Sequence, residues 1–149
     1  MKEAVQILLV EDNKNDAELA MRTLKKNNIS NQVFWVKDGA QAIDFLFAKG
    51  EFSERNINHT PKVVLLDLKL PKKDGIEVLR EIRNSEELKQ LPVVMLTSSK
   101  EEKDMVKSYD LGVNSYIVKP IDFDDFTKAI KDLGYYWLVM NQSPKKVSL

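Results

Sequence analysis

The chain has 149 residues, the size of one globular domain. Its 23 basic and 23 acidic residues balance, so no net positive charge favours binding to nucleic acid or to an anionic membrane surface. It has no cysteine and one histidine, His59, which excludes disulfide scaffolds, cysteine nucleophiles and Cys/His zinc sites. The N-terminus lacks the pattern of a secretory signal, and no apolar run is long enough to cross a bilayer, so we expect a cytoplasmic protein.

Five short apolar segments recur along the chain, with helical patterns between them. The first, third and fourth are nearly continuous in Val, Ile and Leu, as expected for parallel strands covered on both faces. Alternating strands and helices of this length predict a doubly wound α/β fold with helices on both faces of the sheet. The predicted strands are Val5–Val10, Gln32–Val36, Val63–Leu66, Val93–Leu96 and Ser115–Val118.

The segments between the strands contain two candidate helix caps and one unusually long connection. Ser98 and Glu101 match a capping box at the start of the fourth helix, and Asp122 is a candidate cap for the fifth. The polar segment 50–62 is long for a connection between a helix and a strand. It is either a functional loop or a tolerated insertion.

Charged and polar side chains follow the predicted strands where each strand ends. Glu11 and Asp12 follow the first strand, Asp67 the third, Thr97 the fourth and Lys119 the fifth. Ligands of open α/β sheets bind beyond the carboxyl ends of the strands, so these side chains are expected to lie together if strands one and three are neighbours. Three convergent carboxylates repel one another unless they bind a cation or keep a proton. Hard oxygen ligands with room for water suit Mg²⁺.

This combination of groups suits phosphoryl transfer. Beside a metal ion, Asp67 can stay charged and attack a phosphoryl group to form an acyl phosphate. The Lys119 ammonium can neutralise the transferring oxygens, and the Thr97 hydroxyl can donate a hydrogen bond to one of them. Any one acidic residue at a strand end is more often a turn former or a helix cap, so the combination carries the prediction.

With these residues in place, the sequence resembles the receiver domain of two-component response regulators from Ile7 to about Leu138. The resemblance implies a flavodoxin-like five-stranded parallel sheet of order 2-1-3-4-5. The matching segments are Ile7 to Asp12, Val64 to Asp67, Leu70-Pro71, Asp74-Gly75, Met95 to Ser98, Gly112 leading to Tyr116, and Lys119-Pro120.

The resemblance also implies the roles of the site residues. Asp67 would be phosphorylated by a partner histidine kinase. Asp12, Asp67 and the backbone carbonyl of Lys69 would bind Mg²⁺, with Glu11 acting through metal-bound water. Lys69 also occupies a position that affects the lifetime of the acyl phosphate, by either holding the phosphoryl group or obstructing attacking water.

Two further residues of the family pattern are implied to act as a switch. Thr97 would move towards the phosphoryl group and Tyr116 would follow it inwards, which would change the surface formed by the fourth helix, fifth strand and fifth helix. Lys119 would hold the phosphoryl oxygens, and its bond to Pro120 would be cis. An aromatic residue in a strand is more often simply packed, and that alternative applies to Tyr116.

The C-terminal part of the chain supplies the remaining expectations. We expect a single receiver domain over residues 1–149, with a core at about 5–138 and a C-terminal helix extension and short tail at 139–149. The residues after the core are too few for a DNA-binding module. An apolar seam at helical spacing either covers the core or adds a homodimer surface. The seam contains Phe123, Phe126, Ile130, Leu133, Trp137 and Met140, and the candidate dimer surface contains Tyr135, Tyr136, Trp137 and Leu138.

The sequence therefore predicts a response regulator that accepts a phosphoryl group on Asp67 and turns over no external substrate. The long loop and the aromatic C-terminal segment are similar to small receivers that partner bacterial phytochrome-type histidine kinases, and the downstream partner is expected to be a protein. The alternative is a receiver-like interaction module that works without phosphorylation. A metal-dependent phosphohydrolase is disfavoured, because Lys69 stands where a second general acid would be needed.

Overall fold

Strands and helices alternate throughout the computed structural model, which describes residues 5–26 and 33–132. The strands are β1 Ile7–Val10, β2 Val33–Val36, β3 Val63–Asp67, β4 Val93–Thr97 and β5 Ser115–Val118. The helices are α1 Lys14–Lys26, α2 Gly39–Leu46, α3 Gly75–Arg83, α4 Lys100–Ser108 and α5 Phe123–Asp132, with a short 3₁₀ helix at Gly50–Phe52.

The strands form one parallel sheet in the order β2-β1-β3-β4-β5, which confirms the predicted flavodoxin-like topology. β1 and β3 are neighbours, so the chain changes direction across the sheet between them. β3 and β4 each run one residue further than predicted, because Leu68 N–H donates to Leu96 O and Lys119 N–H donates to Thr97 O. Asp67 and Thr97 are therefore the last residues of their strands.

Apolar side chains cover both faces of the sheet. Along β1, Leu8 and Val10 face one buried cluster, whereas Ile7 and Leu9 face the other. Side chains from α2, α3 and α4 pack into the first cluster, and side chains from α1 and α5 pack into the second. β1, β3 and β4 are buried along their whole lengths, which explains why their sequences are continuous apolar runs.

The N-caps of α4 and α5 can be compared with the residues predicted from the sequence. Ser99, not Ser98, is the N-cap of α4, because its side chain accepts a hydrogen bond from Glu102 N–H. The predicted cap of α4 was wrong by one residue, because β4 continues to Thr97 and the helix begins one residue later. The predicted cap of α5 is confirmed, because Asp122 Oδ1 accepts from the backbone N–H of Asp125 at 2.7 Å.

The long loop packs back onto the edge of the sheet. Phe52 contacts the rings of Phe34 and Phe45, with centroids 5.8 and 5.2 Å apart. The guanidinium of Arg55 lies 3.8 Å from the centre of the Phe45 ring and donates to the carbonyl oxygens of Phe45 and His59. The loop is thus an ordered cover for β2 and α2.

The C-terminal expectations fall partly outside the described residues. Phe126 and Ile130 of the predicted seam are fully buried in α5. Leu133, Trp137 and Met140 lie outside the described residues, and so does the candidate dimer surface of Tyr135, Tyr136, Trp137 and Leu138.

Gly75 provides a test of how α3 is held against β3. A Cβ atom at this position would lie 2.5 Å from the backbone oxygen of Asp67 and 2.8 Å from Leu68 Cα. Gly75→Ala should therefore lower the free energy of unfolding by about 1–3 kcal/mol, although alanine ordinarily favours a helix. Chemical denaturation measures this change, and a variant as stable as the wild type would contradict the close approach.

Candidate functional site

The three acidic residues at the ends of β1 and β3 meet at one edge of the sheet. Carboxylate oxygens of Glu11, Asp12 and Asp67 lie within 4.8 Å of one another. Glu11 and Asp67 are buried, with 2% and 3% of their surfaces exposed, whereas Asp12 is exposed. Hard oxygen donors that lie this close together are a suitable donor set for a divalent cation.

The backbone and side chain of Glu11 are both held in place. Its N–H donates to Val36 O at 3.1 Å, and its carbonyl oxygen accepts from Trp35 Nε1 at 2.7 Å. Its Oε2 accepts from the N–H of Asn13 at 3.1 Å. Sequence reasoning missed the contribution of Trp35, although a half-buried indole N–H normally finds an acceptor.

The ammonium of Lys119 lies among the acidic residues. Its Nζ lies 3.0 Å from Asp67 Oδ2, 3.2 Å from Glu11 Oε1 and 3.3 Å from Asp16 Oδ2. Its peptide bond to Pro120 is cis. Asp16, in the first turn of α1, is a site residue that the sequence did not single out, because an acidic residue there normally reads as favourable helix-end charge.

Burial and neighbouring charges shift the pKa values of Glu11 and Lys119. Burial, followed by the neighbouring Asp67 carboxylate, raises the pKa of Glu11 from 4.5 to about 7. Burial alone would lower the pKa of Lys119, but hydrogen bonds and charge from Asp67 and Glu11 outweigh it and hold that pKa above its usual range. Lys119 is therefore a permanent cation between carboxylates that repel one another.

Thr97 is buried at the end of β4, with no exposed surface. Within residues 5–26 and 33–132, its Oγ1 is one of two buried side-chain atoms without a hydrogen-bond partner, the other being Thr127 Oγ1. A buried hydroxyl without a partner costs about 1–3 kcal/mol. Such an atom beside the acidic residues is suited to a ligand that supplies the missing acceptor.

Lys69 and Tyr116 both contact side chains of α4. Lys69 Nζ lies 2.9 Å from Glu102 Oε2, while Glu102 Oε1 accepts from the N–H of Ser98. This ion pair connects the loop after β3 with the start of α4. Tyr116 on β5 is half-buried, and the ammonium of Lys107 on α4 lies 5.7 Å from the centre of its ring.

The comparisons with known proteins agree with this arrangement. The chain matches the response regulator receiver domain family over residues 7–131. The chain belongs to this family. A receiver domain is a signalling unit rather than a catalyst of external reactions, so the prediction that the chain is not an enzyme is confirmed. Of the helices in the described residues, none has the length and apolar character needed to cross a membrane.

Two curated relatives from different organisms are similar to this chain over most of their length. The probable methanogenesis regulatory protein FilR2 of Methanothrix harundinacea is 42% identical over 138 residues, which are 93% of this chain and 86% of FilR2. The response regulator Rcp1 of Synechocystis sp. is 42% identical over 132 residues, covering 89% of this chain and 88% of Rcp1.

Solved structures place the chain close to phytochrome response regulators, as predicted. The bacteriophytochrome response regulator RtBRR is 54% identical, with a TM-score of 0.84 over 91% of this chain and 81% of RtBRR. A Mn²⁺-bound form of Rcp1 is 42% identical, with a TM-score of 0.70 over 91% of this chain and 95% of that one. The phosphorylated cyanobacterial phytochrome response regulator RcpA is 40% identical, with a TM-score of 0.71 over 91% and 95%.

The raised pKa of Glu11 predicts how stability depends on pH without divalent cations. The folded receiver keeps a proton on Glu11 up to about pH 7, whereas the unfolded chain loses it near 4.5, so stability falls as the pH rises between these values. Glu11→Gln should therefore raise the free energy of unfolding at pH 8 by about 1–3 kcal/mol. This gain in stability should disappear near pH 4.5. Urea denaturation at both pH values measures this difference in stability.

Glu18→Gln, on the exposed surface of α1, is the control variant. Equal stability of the wild type and Glu11→Gln at pH 8 would contradict the prediction.

Proposed function

We propose that the receiver accepts a phosphoryl group on Asp67 from the phosphohistidine of a histidine kinase, in a reaction that requires Mg²⁺. The observation that carries this proposal is the buried Asp67 carboxylate, held 3.0 Å from Lys119 beside two further carboxylates. The phosphorylated structure of RcpA supports it by family relationship.

Four residues would hold the metal ion. They are Asp12, Asp67 and the backbone carbonyl of Lys69, with Glu11 acting through water. When bound, the ion supplies positive charge that offsets the charge on the transferring phosphoryl oxygens. The all-oxygen donor set of this site and the Mn²⁺-bound form of Rcp1 support a divalent cation here.

The chain's own residues account for the transfer step. An oxygen of the Asp67 carboxylate attacks phosphorus and forms a P–O bond while the P–N bond of phosphohistidine breaks. The electron pair of the P–N bond stays on the imidazole, which takes up a proton from solvent. Lys119 neutralises the phosphoryl oxygens, and the unpartnered hydroxyl of Thr97 donates to one of them.

The same hydroxyl links the phosphoryl group to a surface of the protein. A new acceptor for Thr97 Oγ1 favours a shift of the end of β4 towards Asp67. Tyr116 lies in the neighbouring strand, and its ring packs beside Lys103 and Lys107 of α4. Movement of this ring inwards would change the surface of α4 and β5, so binding of a downstream protein there is linked to phosphorylation.

The relatives indicate the class of kinase. RtBRR and RcpA are phytochrome response regulators, so we propose a phytochrome-type histidine kinase as the partner. The alternative, an interaction module independent of phosphorylation, needs none of the acidic residues, Thr97 or Lys119. The contact of Lys119 with the acidic residues, together with the unpartnered Thr97 hydroxyl at the end of the neighbouring strand, favours the phosphorylated switch.

Phosphorylation of the purified chain tests the proposal directly. Incubation with acetyl phosphate and Mg²⁺ should add one phosphoryl group by intact mass, and the adduct should be absent with chelator or with Asp67→Asn. Ser85→Ala, at a half-buried position in the turn that follows α3, should retain the adduct. If the wild type gains no adduct and binds no beryllium fluoride, the interaction module becomes the better account.

Thr97→Val separates phosphorylation from switching. Because the hydroxyl has no partner in the resting state, its loss should leave the free energy of unfolding unchanged or raise it by about 1 kcal/mol. The variant should still gain the phosphoryl group, but hydrogen exchange of α4 and β5 should no longer change on phosphorylation. Destabilisation by more than about 2 kcal/mol would show that the resting hydroxyl has a favourable interaction.

A further inference from the structure

Asp16 supplies a third carboxylate to the ammonium of Lys119. Its Oδ2 lies 3.3 Å from Lys119 Nζ, and the other two partners of that ammonium are Asp67 and Glu11. An ammonium has three N–H donors, so three carboxylates satisfy all of them. The backbone of Asp16 is itself held, because its N–H donates to Asn13 Oδ1 at 2.9 Å.

Asp16 differs from the other two partners in its surroundings. Its side chain is 44% exposed, whereas those of Glu11 and Asp67 are 2% and 4% exposed. The carboxylates that come together as a candidate metal site are Glu11, Asp12 and Asp67, without Asp16. Asp16 therefore stays available as a partner of Lys119 when a cation engages the other carboxylates.

We propose that Asp16 is a positioning residue for phosphotransfer, which holds the Lys119 ammonium at the phosphoryl site when the divalent cation occupies the acidic residues. This proposal rests on the proposed function. Lys119 carries its charge on a flexible four-carbon stem, so its location depends on the acceptors around it. A cation that shares the charge of Glu11 and Asp67 weakens their attraction for the ammonium, and Asp16 becomes its remaining strong acceptor.

The first experiment measures phosphorylation by acetyl phosphate as a function of Mg²⁺ concentration. Asp16→Asn should lower the maximal rate at saturating Mg²⁺ by about three- to tenfold, because the ammonium is less well placed in the transition state. Asp16→Glu should recover part of the rate. Glu18→Gln is the matched control, since Glu18 is exposed on the same helix, has the same charge, and the described contacts of Lys119 do not include it.

A second measurement reads Lys119 without relying on turnover. The NH₃⁺ signal of Lys119 in nitrogen-15 NMR, assigned with Lys119→Arg, should persist with Mg²⁺ in the wild type and in Glu18→Gln. It should broaden in Asp16→Asn, because the ammonium then exchanges among weaker acceptors and water. Thermal melting of each variant establishes that it is folded.

The outcomes distinguish this proposal from the proposed function. If the wild type is phosphorylated and Asp16→Asn keeps the maximal rate and the Lys119 signal, the positioning role is wrong and the receiver function stands. A change confined to the Mg²⁺ concentration for half-maximal rate would also overturn it, because that is an effect of net charge alone. If the wild type is never phosphorylated, the proposed function fails, and the Lys119 signal with Mg²⁺ still tests whether Asp16 holds the ammonium.

Discussion

The ion pairing of Lys119 with buried carboxylates is the interaction on which the rest of this site depends. Two acidic side chains are buried at the edge of an apolar sheet, where their charges repel each other and have little water around them. A parallel sheet solves this problem, because all of its strands end at the same edge. Lys119, at the end of β5, therefore reaches Asp67 at the end of β3 and Glu11 after β1.

The resting site is not optimised for stability. Glu11 has a raised pKa, and the buried hydroxyl of Thr97 has no partner among the described residues. Each feature costs free energy, and the proposed chemistry would supply a group that relieves each of them. In the proposed function, a bound cation would offset the charge on Glu11, and a phosphoryl oxygen would accept a hydrogen bond from Thr97. Such a cost is expected at a site where a protein changes state on modification, as proposed for this receiver.

Contacts around the site connect it with the surface proposed to signal. The ion pair of Lys69 with Glu102 joins the loop after β3 to the first turn of α4. Tyr116 packs against the same helix from β5, beside Lys107. α4 is thus contacted by Lys69, from the loop after β3, and by Tyr116 of β5. A shift of the loop after β3 or of β5 would change these contacts with α4.

The sequence by itself determined the order of the elements, the parallel sheet and the polar residues at the strand ends, because apolar runs and strand ends are local patterns. It placed the cap of α4 one residue early, since the end of β4 depends on hydrogen bonds to neighbouring strands. Only the tertiary structure decided that Asp16 faces Lys119, that Trp35 donates to Glu11, and that the long loop packs on β2. These contacts join residues far apart in the chain, and no local pattern records the distance between them.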